Sequence, residues 1–127
     1  MESDNYPVEV VFSVGSNCGD RGSRVSGGIS WLEGFLSECR VSSVYTTGDC
    51  HGGKRVYVNA VVAGLCDMSR ERIETLCKEY EISCGRTSEA RLRGDVPVDI
   101  DLVIFDGAIL RPKDYRQKFF QIGFMQL

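Results

Sequence analysis

Histidine is almost missing from this sequence, and the cysteines are poorly spaced for a metal. There is one histidine, His51, and no C-x-x-C pair among Cys18, Cys39, Cys50, Cys66, Cys77 and Cys84. A zinc site is therefore not expected. A disulfide framework is the less favoured reading, since a chain of 127 residues is long enough to fold without covalent staples. The thiols read instead as reduced, small apolar side chains. A basic excess is also missing. The net charge of −3 and pI near 5.2 argue against a nucleic-acid surface. Aromatic residues make up only 9%, which leaves an RNA-binding sheet the least expected use of the chain. No apolar run approaches the roughly 18–20 residues that cross a bilayer. The opening MESDNYPVEVV is acidic and has no basic n-region, so no secretory signal is expected and the cytoplasm is the expected location.

What is present reads as one globular domain of ordinary composition, 43% apolar and 26% charged. EVVFSV (9–14) is a β-rich run, followed by a glycine-rich loop, GSNCGDRGS. Residues 24–38 place Val25, Ile29, Leu32 and Leu36 at helical spacing. VSSVYTT (41–47) and RVYVNAVVAGL (55–65) read as neighbouring antiparallel strands joined by the loop 48–54. Ser69 then caps a helix in which Ile73, Leu76, Cys77 and Tyr80 form the apolar face. Glu74 and Lys78 are spaced to pair on its outer face. ISCGRTSEARLRGDVP reads as a basic loop. A strong strand follows, then a weak one near 107–110, and a C-terminal segment of undetermined form. The order strand, helix, strand, strand, helix, strand is the βαββαβ plan of a ferredoxin-like α+β sandwich: an antiparallel sheet with helices on one face.

The strong strand, VPVDIDLVIF (96–105), carries the clearest chemical signal. Alternation puts Asp99 and Asp101 on one face and Val98, Ile100, Leu102 and Ile104 on the other. Adjacent carboxylates disfavour each other's ionisation. A divalent cation, magnesium above all, would offset that cost; a solvated edge strand is the alternative. Arg86, Arg91 and Arg93 precede the pair, in a segment containing Gly85 and Gly94. Arginine forks suit phosphate, although a solvated basic loop would read the same way. Tyr57 and Asn59 share a strand face, where one can stack on a flat ring and the other can read a heterocycle's edge. An aromatic packed on the sheet beside a polar residue is equally consistent with those two alone.

Together SVGSNCGDR, VSSVYTT, YVNAVV, YEISCGR and VDIDLVIFDG resemble, in order and spacing, the 6-hydroxymethyl-7,8-dihydropterin pyrophosphokinases of folate biosynthesis. The resemblance spans about residues 11–120. It implies a ferredoxin-like fold and transfer of a pyrophosphoryl group from ATP to the pterin hydroxymethyl, releasing AMP. It implies two magnesium ions on Asp99 and Asp101, with Asp99 also aligning or deprotonating the attacking hydroxyl. Asn59 and Thr47 match the pterin-reading positions, and Tyr57 and Phe120 the aromatic pair that holds the ring. Glu81 and Arg86 match residues around ATP, with Lys78, Leu102 and Lys118 as further nucleotide contacts and Arg93 as a catalytic-loop residue. ATP and the hydroxymethylpterin are the only expected partners; neither nucleic acid nor membrane is.

Two departures stand out. The family's R-W-G-P-R loop is here LRGDV (92–96), with Arg93 at the tryptophan position and Val96 at that of an arginine. RPKDYRQKFF (111–120) has no histidine, and Lys118 stands where arginine is usual; the two cations bind phosphate differently. Two other readings follow: a family member that binds pterin or nucleotide without efficient catalysis, and another two-metal nucleotidyl enzyme.

Overall fold

The computed structural model describes residues 6–49 and 52–127, and builds them around one antiparallel sheet of six strands with flanking helices, an α+β fold. Cys50 and His51, in the expected 48–54 loop, lie outside the described residues. The long β-branched runs form the centre: β1 (Val8–Ser16) pairs with β4 (Val56–Cys66) along its whole length. β2 (Ser37–Val41) and β3 (Tyr45–Gly48) both pair with β4. β5 (Asp99–Phe105) pairs with the other side of β1, and β6 (Ala108–Ile109) closes that edge. The strand order is β2-β4-β1-β5-β6.

α1 (Arg21–Glu33) is started by Asp20, whose side chain accepts from the Ser23 amide. α2 (Arg70–Ser83) is started by Ser69, which accepts from the Arg72 amide. Val25 and Leu32 of α1 and Ile73 and Cys77 of α2 pack on Val10, Phe12, Val62, Ile100 and Leu102. Burying each of the larger of these side chains contributes roughly 1.5–3 kcal/mol. No helix among the described residues is long and apolar enough to cross a membrane.

The helices do not all lie on one face. α4 (Pro112–Tyr115) and α5 (Lys118–Phe124) follow β6, and Phe120 of α5 joins Val11, Val61, Ala63 and Val103 in a second core on the opposite side. That face is thus half covered, and the bare half is where Asp99 and Asp101 project. α5 docks closely because Gly123 has no side chain: a Cβ there would come within 2.6 Å of Val61 Cγ2 and 2.7 Å of Tyr45 Oη.

Four local expectations are corrected. The strand expected over 41–47 is two strands, because Ser42 interrupts the ladder: its hydroxyl, rather than a backbone carbonyl, accepts from the Val61 amide at 2.9 Å. Ile104 joins the second core and not the first, because the β1–β5 register shifts between Val11 and Phe12 and reverses the alternation at Val103. The segment read as a basic loop contains α3 (Ser88–Arg93), capped by Thr87 and ended by Gly94 in the left-handed conformation, φ 76°. Glu74 pairs with Arg70, one turn earlier, rather than with Lys78.

Candidate active site

The sheet brings the polar residues together in register. Tyr45 lies beside Asn59, Asn59 beside Gly15, and Gly15 beside Asp99, one row across four strands. Ser13 lies next to Asp101 in the adjoining row. Thr47, Tyr57 and Asn59 thus face Asp99 and Asp101 around a cavity of about 170 Å³. Gly15 makes room between them, since a Cβ at this position would sit 3.2 Å from Asn59 Oδ1 and 3.8 Å from the Tyr57 ring. Asn59 is 2% exposed, and its amide donates to Thr47 Oγ1 at 2.8 Å, which fixes the orientation of its carbonyl oxygen.

The acidic pair has a third member. Oxygens of Glu81, Asp99 and Asp101 all lie within 4.8 Å of one another. Glu81 sits on the buried stripe of α2, one turn beyond Cys77, and accepts from the Ile100 amide at 2.7 Å. Arg86 lies 2.7 Å from Asp99 and 3.2 Å from Glu81. Burial and the neighbouring Asp99 charge push the Asp101 carboxyl up to about 8. Burial likewise raises Glu81 to about 7, against the pull of the Ile100 amide and Arg86. Burial acts on Asp99 too, but the hydrogen bond from Asp101 and the Arg86 guanidinium outweigh it and hold Asp99 below the usual carboxylate range. Three clustered carboxylates, short of countercharge and built of hard oxygen donors, fit a divalent cation such as magnesium.

A second cavity, of about 710 Å³, opens on the other side of this cluster. Lys78, Arg86, Arg91 and Arg111 supply its positive lining, and the exposed side chains of Ile82 and Leu92 its apolar part. It shares Asp99, Asp101 and Arg111 with the first cavity. A side pocket of about 220 Å³ between α2 and β5 is bordered by Lys78, Glu81 and Leu102.

Most of the expected residues converge: Thr47, Tyr57, Asn59, Lys78, Glu81, Arg86, Asp99 and Asp101 line one or both cavities. Others do not. Phe120 is fully buried in the second core, its ring stacked 5.1 Å from Phe124, and it lines neither cavity. Phe119 lines the cavity instead, and Tyr45 fixes its backbone by donating to the Phe119 carbonyl at 2.5 Å. Arg93 is turned away: it pairs with Asp95 at 2.9 Å, and the same carboxylate pairs with Arg55. Arg91 is the α3 arginine that faces the second cavity. Lys118, at the start of α5, is exposed and borders neither cavity. The Leu102 side chain is 3% exposed and belongs to the first core. Gly15, Arg111, Asp114 and Phe119 went unnoticed in the sequence; Arg111 and Phe119 are detectable only as a cation and an aromatic in a segment without periodicity.

Fold and site together define an α+β protein with room for a small molecule on each side of an acidic cluster. Over residues 11–127 the sequence matches the family described as 7,8-dihydro-6-hydroxymethylpterin-pyrophosphokinase (HPPK). The chain belongs to that family, whose members are ATP-dependent pyrophosphokinases of folate synthesis. A search among curated proteins gives no match.

Proposed function

We propose that this chain transfers the pyrophosphoryl group of ATP to 6-hydroxymethyl-7,8-dihydropterin, giving the pterin diphosphate and AMP. One observation carries the reading: a small cavity lined by ring-reading residues and a larger basic cavity meet at Asp99 and Asp101. In this reading the pterin lies among Thr47, Tyr57, Asn59 and Phe119, and ATP among Lys78, Arg86 and Arg91. Its hydroxymethyl oxygen attacks the β-phosphorus; the bond to the α–β bridging oxygen breaks, and AMP leaves with that electron pair. Asp99, kept ionised by Arg86, aligns the hydroxyl and takes up its proton as the new P–O bond forms. Arg86 and Arg91 neutralise charge that grows on the transferred group. Asp99, Asp101 and Glu81 would hold magnesium, which supplies the charge that lets a triphosphate approach three carboxylates. The strand order, with β2 and β3 counted as one interrupted strand, supports a ferredoxin-like βαββαβ plan for the scaffold.

The direct test mixes purified protein with ATP, magnesium and reduced hydroxymethylpterin, and follows the nucleotide products. AMP and pterin diphosphate in equal amounts are expected. ADP, pyrophosphate or no turnover would overturn the assignment; pterin binding without AMP would identify a non-catalytic family member.

A further inference from the structure

We propose that Asp95 is a positioning residue: by holding Arg55 and Arg93 together it straps the end of α3 to the start of β4, and so sets the spacing between Arg91 on the phosphate side and Tyr57 and Asn59 on the ring side. The inference rests on the pyrophosphokinase reading and adds to it a residue that lines neither of the two substrate cavities.

α3 is six residues long, and Ala90 is its only buried side chain. So short a helix is not held in place by its own packing, yet its Arg91 must stand at a fixed point of the larger cavity. Polar ties hold it instead. On one side, the buried Asn17 at the end of β1 clamps the backbone that follows α3. Its side-chain amide donates to the Gly94 carbonyl at 3.0 Å, its side-chain oxygen accepts from the Val96 amide at 2.7 Å, and its own backbone amide donates to the Val96 carbonyl at 3.0 Å. On the other side stands Asp95, whose carboxylate pairs with Arg55 and accepts from Arg93 Nε at 2.9 Å. Arg55 Nη2 also donates to the Arg93 carbonyl at 3.0 Å, so one guanidinium grips both residues that flank Gly94. The Asp95 amide donates to the Ala90 carbonyl at 2.8 Å and closes α3. Arg55 directly precedes β4, and Arg21 fixes that point by donating to the Val56 carbonyl at 2.8 Å. A cleft of about 240 Å³ lies at the strap, and Asp95 borders it. Tyr57 lines both this cleft and the small cavity; Arg86 and Arg91 line both it and the larger one. The strap thus joins the two halves of the site at the point where their separation is decided. A lone exposed ion pair contributes little, but here three hydrogen bonds from two arginines converge on one short turn. They are charge-assisted and open to solvent, so salt weakens them.

The experiment follows AMP formation and amide hydrogen exchange in the wild type, D95N, R55Q, the double variant R55Q/D95N and the charge exchange R55D/D95R. At low salt D95N should lower kcat about tenfold, with KM for ATP and for hydroxymethylpterin within about threefold, because misplacement costs rate rather than binding. R55Q should lose less, and the double variant no more than D95N alone. The charge exchange should recover part of the loss. Amides of residues 88–96 should exchange several-fold faster in D95N. Added sodium chloride should move the wild type toward D95N in both readouts and change D95N little. Melting curves confirm that each variant folds. An unchanged kcat or unchanged exchange in D95N, or a loss carried wholly by KM, overturns the positioning role and leaves the pyrophosphokinase reading standing. A wild type that forms no AMP overturns both.

Discussion

Arg86 Nη1 lies 2.7 Å from Asp99 Oδ1, so the acidic strand carries its own counter-charge into the fold. Nearby Asp101 lies farther from its ion-pair partner, 3.9 Å from Arg111, and burial together with the Asp99 charge suppresses its ionisation. Replacing Arg86 with glutamine should destabilise the metal-free protein by roughly 1–2 kcal/mol, discounted for the partial exposure of the pair. Saturating magnesium should restore most of that stability but not the rate of AMP formation. Equal melting temperatures for R86Q and wild type without magnesium would contradict this.

The cluster also sets a pH dependence. Glu81, raised to about 7, and Asp101, raised to about 8, keep protons in the folded chain. Unfolded carboxyls have already lost theirs above about pH 4. The unfolded state then binds fewer protons, so stability falls as pH rises. The contribution is full below about pH 4 and gone above about 8. Asp99, with its lowered value, acts in the opposite sense only at more acid pH. Melting temperature without magnesium should therefore drop between pH 5 and 8, and magnesium should flatten the curve. Magnesium binding at pH 7 should release protons, seen as a buffer-dependent heat.

Two adjacent phenylalanines should separate cleanly. Phe119→Ala should weaken pterin binding and cost less stability than the loss of Phe120, because the ring borders the cavity and packs only partly against the second core. Phe120→Ala should cost about 3–5 kcal/mol, because it empties the second core. The opposite pattern, read by pterin titration and denaturant melts, would place the ring contact at Phe120 after all.

Gly123→Ala should shift α5, since the new methyl meets Val61, Tyr45 and Ser42. We expect a loss of about 1–3 kcal/mol from overpacking. Tyr45 also holds the Phe119 carbonyl, so pterin affinity should fall as well. Unaltered stability would mean that α5 docks differently.

The sequence showed its regular parts and hid the irregular ones. The alternation of β5 and the spacing of α2 are strong periodic signals; the first put Asp99 and Asp101 on one strand face, whereas Arg86 fell in the segment read as a basic loop. Glu81 was expected near ATP, yet its place among the carboxylates follows from the stripe Ile73, Cys77, Glu81, where an acid occupies a core position. Phe119 and Phe120 are neighbours on a short helix, and only the docking of Gly123 decides which ring faces the cavity. Arg111 sits in a turn without period. Ser42 and the register shift at Val103 break strand alternation through a side-chain hydrogen bond and an extra residue, neither of which a hydropathy pattern encodes.

The most direct test titrates manganese, as a spectroscopic stand-in for magnesium, into the protein with α,β-methylene-ATP and reads bound metal by electron paramagnetic resonance. The wild type should take up metal together with the nucleotide, and Asp99→Asn and Asp101→Asn should each lose that uptake while keeping their fold. Undiminished uptake in both variants would show that the triphosphate and its cation are held somewhere other than the paired aspartates of β5.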